Sequence, residues 1–241
     1  MNYAYKGEYN FAIDKKVKIN KLSNSNDVVI TLDDENYVKD ILLITYGNSE
    51  EEVEKNSEMI SFNLEKILIV LWGRKLRLLE KGYNITELST GKGRGGTAFH
   101  MGWSIEGSIK ELDLNNKNTN TLINSGSNEN LIHLSSSVSY YYIGNPFVSI
   151  KEAYKIIENI HDPNHDKFKV LRHIFSHSPP YNQSTIDMFT KAYSSVDFDY
   201  LKYDLQNRII ILNPNSNKTL KRLNGVAVEL QKICKTILNI S

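Results

Sequence analysis

Short runs of apolar residues open the chain at Tyr9 to Ile13, Val17 to Ile19 and Val28 to Leu32, parted by polar clusters such as Ser23 to Asp27. Runs of this length bounded by turn-forming residues predict strands, and three so close together predict a small sheet. From Glu50 the period changes. Glu50, Glu51 and Glu52 precede Ile60, Leu64, Ile67, Leu68 and Leu71, a 3.6-residue stripe that predicts a long helix between Glu50 and Lys81, carried through Gly73. The β-branched run ILIV inside it also suits a strand.

Residues 114–130, LNNKNTNTLINSGSNEN, are almost wholly polar and small. Such a composition buries too little apolar surface to offset its ordering entropy, so a flexible linker or loop is predicted there. Beyond it the helical period dominates. Leu131, Leu134, Val138 and Tyr141 keep helical spacing around several serines, and Ser149 to Glu152 forms a capping box ahead of Ile150, Ala153, Ile157 and Ile160. Asp162-Pro163 reads as the start of a third helix with an apolar face of Phe168, Val170, Leu171, Ile174 and Phe175, and Ser178-Pro179-Pro180 as its end. A fourth helix is expected from Ser184 through Ile186, Phe189 and Tyr193, followed by the extended run RIIIL. A last one starts after Pro214 and carries Leu220, Leu223, Ala227, Leu230, Cys234 and Ile237.

Composition narrows the function classes. The 241 residues are 40% hydrophobic and 24% charged, ordinary globular statistics, and a net charge of +1 leaves nucleic-acid binding to a local basic patch rather than the whole surface. A single cysteine, Cys234, excludes an intramolecular disulfide and reads as a small buried hydrophobe in a reducing compartment. The N-terminus lacks a signal peptide's apolar core, and the run Ile67 to Trp72 falls far below the roughly 20 residues that span a bilayer. A cytoplasmic protein without membrane partners is expected.

Titratable groups concentrate in one place. Four of the six histidines, His161, His165, His173 and His177, lie beside Asp162, Asp166 and Arg172. At 100° per residue, Arg172 and His177 stand about 140° apart around one helix. One chain therefore cannot easily aim both at one phosphate. Two chains meeting with these helices antiparallel can place Arg172 of one opposite His177 of the other. An imidazole shuttles protons at neutral pH and a guanidinium grips a phosphate bidentately, which suffices for attack of an RNA 2′-hydroxyl on its neighbouring phosphate.

Leu171-Arg172-His173-Ile174-Phe175-Ser176-His177, at a helix end among C-terminal helices, resembles the HEPN family (higher eukaryotes and prokaryotes nucleotide-binding), whose motif is R-X4-6-H. The resemblance covers roughly residues 131–241. It implies that Arg172 and His177 are the catalytic pair and that His173 occupies the polar position where the family most often has Asn. It further implies a helical bundle, dimerisation that joins two motifs, and metal-independent endoribonuclease activity in toxin and antiviral-defence systems. RNA, a second copy and an antitoxin or regulatory protein are then the expected partners, with no cofactor and no metal.

Other readings of the same residues stay open. Arg172 suits a surface ion pair with Glu158 or Asp166, His177 a C-terminal helix cap, and His173 an orienting or merely exposed role. The spacing of His173 and His177 also suits a metal, with Asp162 or Asp166 as a further ligand, although no zinc signature accompanies it. Gly91 to Thr97 looks like a phosphate loop without the Lys-Ser/Thr pair a Walker motif needs, and reads better as a solvated loop. Tyr140, Tyr141 and Tyr142 read as core rather than as a base-stacking platform.

The sequence thus predicts an α+β protein. A mixed N-terminal part, 1–113, holds a small sheet and a long helix and suits a sensing or dimerising role; 114–130 is the linker; 131–241 is the HEPN-like bundle. The alternative to an RNA-cleaving homodimer is a noncatalytic module of the same fold that dimerises or docks a partner.

Overall fold

The computed structural model describes residues 3–98, 104–109, 112–126, 128–160, 165–177, 187, 191–192, 200–202, 210–212 and 215–240. The architecture is α+β, with six helices among the described residues and a five-stranded antiparallel sheet. The chain divides into two compact units, Met1–Leu131 with Asn239–Ser241, and Ile132–Leu238. Among the described residues no helix is long and apolar enough to cross a membrane.

The first unit is built on β1 (Tyr5–Ile13), β2 (Lys15–Ile19), β3 (Leu22–Ser23), β4 (Val28–Leu32), β5 (Val38–Gly47), β6 (Leu78–Glu87) and β7 (Gly93–Thr97), in the sheet order β4-β5-β1-β6-β7. Registers Tyr9↔Leu43 and Phe11↔Ile41 put four buried residues on one face, as the strand period of two requires. Against that face packs α1 (Glu50–Trp72), through a stripe that includes Val53, Ile60, Leu64 and Ile67. The helix sits close: a Cβ on Gly7 would lie 2.4 Å from Val53 Cγ1. Small parallel pairs join β2 to β8 (Ser104–Ile109) and β3 to β9 (Leu112–Asp113).

Three expectations for this unit are corrected. The helix does not run to Lys81. Gly73 adopts the left-handed conformation, φ 79°, and its N–H bonds Ile69 O, a stop that a side chain would strain. Nor is 114–130 wholly loop, because Lys117–Asn124 forms helix α2 and buries Thr119, Leu122 and Ile123. Its C-terminal carbonyls are satisfied from outside, by Asn63 Nδ2 on α1 at 3.1 Å from Ile123 O and 2.8 Å from Ser125 O. Lastly, the glycine-rich segment read as a solvated loop is strand β7. Its glycines allow close approach to β6, since a Cβ on Gly95 would meet Tyr83 O at 2.7 Å.

The second unit comprises α3 (Glu129–Tyr142, opening at the boundary), α4 (Pro146–Ile160), α5 (His165–His177), the pair β10 (Tyr200–Lys202) and β11 (Ile210–Leu212), and α6 (Asn217–Ile237). Leu134, Val138, Ile150, Ile157, Phe168, Leu171, Leu223 and Leu230 form its core. Helix α4 packs on both α5 and α6.

The capping box at Ser149 is overturned. Asn145 Oδ1 accepts from Val148 N at 3.2 Å and Pro146 takes the first helical position, so α4 starts earlier and Ser149 lies inside it. Ser149 is instead buried in a polar cluster. Gln231 Nε2 on α6 donates to Ser137 Oγ and Ser149 Oγ, each at 3.1 Å, and the two hydroxyls share a bond of 3.1 Å. The core reading of the tyrosines also fails, because Tyr140 and Tyr142 are exposed, and Ile160 leaves the apolar face for solvent. Asp162-Pro163 and Ser178-Pro179-Pro180 lie outside the described residues. So does the helix expected from Ser184, apart from 187 and 191–192.

Candidate functional site

Helix α5 carries the sequence motif. Phe168, Val170, Leu171 and Ile174 are buried along one side, which leaves Arg172 and His173 half-buried beside that apolar stripe. Phe175 meets Phe147 at the start of α4 edge-to-face, with ring centroids 5.0 Å apart. One turn back on α5, Arg172 reaches the far end of α4. The pair is therefore antiparallel, and its second contact is polar.

That contact is specific in chemistry and loose in geometry. Arg172 Nη2 stands 3.6 Å from Glu158 Oε1, and its guanidinium lies 5.8 Å from the centroid of the Tyr154 ring. Glu158 was one of two acidic partners the sequence offered for Arg172. Tyr154, four residues after Ile150, lies on the buried side of α4. The arginine side chain is 35% exposed. An ion pair so placed contributes under about 1 kcal/mol. A charge-assisted bidentate bond to a phosphate is worth about 1.5–3 kcal/mol, enough to draw the guanidinium away from Glu158.

Of the three motif residues, Arg172 and His173 are neighbours on α5 and His177 is the last residue of that helix. The His177 side chain lies outside the described residues, as do the side chains of His165 and Asp166 and the whole of His161 and Asp162. Among the described residues no group of three or more His, Cys, Asp or Glu could hold a metal ion.

A second polar cluster escaped the sequence reading. His133 Nδ1 on α3 lies 2.9 Å from Glu152 Oε2, and Lys155 Nζ donates to Glu152 Oε1 at 2.9 Å. Burial pushes the Glu152 carboxyl up. The hydrogen bonds and charges of Lys155 and His133 outweigh it and hold the group below its usual range. Only the packing of α3 on α4 joins His133 to Glu152, so no local spacing announces the pair.

In the first unit, Arg94 of β7 is engaged rather than free to meet phosphate. Its Nε lies 2.6 Å from Glu50 Oε2 and its Nη2 2.5 Å from Glu54 Oε1, both on α1. Comparison with protein-family models, with curated proteins and with solved structures finds no match to this chain.

Proposed function

We propose that the second unit is an HEPN-like, metal-independent endoribonuclease of the toxin or antiviral-defence type, working as a homodimer with a composite site. In this reading Arg172 of one chain and His177 of the other serve one cleft, and His173 orients them. The His177 imidazole takes the proton of an RNA 2′-hydroxyl as that oxygen bonds to phosphorus. The P–O5′ bond breaks and the departing 5′-oxygen takes a proton from water, leaving a cyclic phosphate, a 5′-hydroxyl and a protonated His177 that returns its proton to solvent. Arg172 balances the charge that develops on the phosphoryl oxygens.

The observation that carries this reading is the placement of Arg172: part-exposed at the edge of α5, where its guanidinium can be reached from solvent beside the carboxylate of Glu158. A soluble, cytoplasmic protein controlled by an antitoxin or regulatory partner would suit such an activity. The test is RNA cleavage in EDTA by the full chain and by His177→Ala. Cleavage by wild type that falls about 10²–10⁴-fold in the variant supports the reading. Intact RNA with both proteins, or equal cleavage by both, sinks it.

One observation favours a second reading, a noncatalytic module for dimerisation or partner docking. The stacking of Arg172 over Tyr154 together with its pair to Glu158 also describes an arginine that ties α5 to α4. Under that reading Arg172→Ala lowers stability and leaves any RNA untouched.

A further inference from the structure

The two edges of the five-stranded sheet are finished differently. On β4 the outward backbone is plugged by side chains. Asn24 Oδ1 accepts from Ile30 N at 2.8 Å and Asn24 Nδ2 donates to Ile30 O at 3.2 Å, while Ser25 Oγ accepts from Val28 N at 3.0 Å. An amide that copies a strand in this way closes the edge to any other strand.

Among the described residues edge β7 carries no such plug. The bonds Glu87 N to Lys92 O and Ala98 N to Lys81 O set the phase of its pairing with β6. In an antiparallel ladder residues alternate, so Arg94 and Gly96 bond inward to β6 and Gly93, Gly95 and Thr97 turn their N–H and C=O outward. Among the described residues nothing bonds those outward groups. The strand carries no lysine, proline or bulge to protect its edge, and its one charge, Arg94, is drawn onto α1. Gly93, Arg94, Gly95 and Thr97 are exposed.

We infer that β7 pairs antiparallel with β7 of a second copy of this chain, about a two-fold axis at Gly95. That register sets Gly93 against the partner's Thr97, so every outward amide and carbonyl from Gly93 to Thr97 finds a mate. Arg94 falls opposite the partner's Gly96, which has no side chain to clash and no like charge to repel it. The Arg94 guanidinium is meanwhile drawn back onto Glu50 and Glu54 of its own α1, clear of the incoming strand. A foreign peptide would find few side-chain pockets on a strand reading Gly-Arg-Gly-Gly-Thr, whereas the two-fold register needs none. The assembly also closes, because the joined sheet ends at a plugged β4 on either side and cannot grow into a fibre. The inference stands on β7 and owes nothing to cleavage of RNA.

The test uses the full chain in sedimentation equilibrium across a concentration series, wild type against Thr97→Pro, with amide exchange of Gly93 and Gly95 read in parallel. Proline at 97 deletes an outward N–H and no bond to β6. Wild type should dimerise, with the two glycine amides slow to exchange when concentrated and fast on dilution. Two symmetry-related hydrogen bonds lost should weaken association about thirtyfold. A wild type that stays monomeric overturns the inference. So does a dimer that survives Thr97→Pro and leaves both amides fast, an outcome that leaves a ribonuclease dimer through the second unit untouched. If Thr97→Pro disturbs the fold, wild-type exchange decides: fast amides in the concentrated protein refute the pairing, protected ones support it.

Discussion

Arg172 on α5 and Glu158 on α4 stand 3.6 Å apart, both side chains more than a third exposed. The pair joins the motif helix to its neighbour at the surface. Glu158→Gln should therefore change unfolding free energy by less than about 1 kcal/mol. With the competing carboxylate neutralised, the same variant should bind RNA more tightly in a filter or anisotropy assay at low salt. A large loss of stability would show that Arg172 is a structural clamp.

Gln231 of α6 bridges the buried hydroxyls of Ser137 and Ser149. Its removal in Gln231→Ala strips a donor from two acceptors that water cannot easily reach. Denaturant unfolding should register a loss of about 1–3 kcal/mol. A change under about 0.5 kcal/mol, the size of an ordinary surface substitution, would contradict this.

Tyr9 is 5% exposed, and its hydroxyl finds no hydrogen-bond partner among the described residues. Burial first, then the charges of Glu54 and Glu80, push its phenol up to about 12, against a partial pull downward by Arg94. The folded state thus holds this proton more tightly than the unfolded chain. The stability linked to it is complete below pH 10, the ordinary value, and is lost as pH rises towards 12. Tyr9→Phe removes an unpaired buried hydroxyl and should stabilise the first unit by about 1 kcal/mol. It should also lessen the loss of stability in alkali, as thermal unfolding from pH 8 upward will reveal.

Glu152 behaves oppositely. Lys155 and His133 hold its carboxyl below the ordinary value of 4.5, so its contribution is present above that value and disappears as pH falls through the folded one. Glu152→Gln should be less stable than wild type at pH 7, and the gap should narrow on acidification. A gap that is constant from pH 7 to pH 3 would argue against the linkage.

What could be read from the sequence follows the range of the interactions concerned. Strands β1, β2 and β4 announce themselves by their own apolar runs, and α5 and α6 by their own periods, because burial of one face is decided locally. Strand β7 does not: five residues rich in glycine look like a loop until β6 supplies the ladder. Helix α2 is hidden for a similar reason, since Asn63, some sixty residues away, completes its C-terminus. Two start signals overlap at α4. The proline decides, because its ring tolerates only the first turn, and Ser149 is left to the core network. At the candidate site Arg172 and its partner Glu158 were legible as charges of opposite sign. The stacking on Tyr154 and the pair of His133 with Glu152 were not, since they arise from how helices pack.

The composite site is the central claim, and mixing two dead variants tests it most directly. Arg172→Ala and His177→Ala, each inactive alone on RNA in EDTA, should regain activity when unfolded and refolded together. Half the dimers are then hybrids, each with one intact Arg172–His177 pair across the two chains, for about a quarter of wild-type activity. A mixture as inactive as its parents, or parents as active as wild type, would contradict the account.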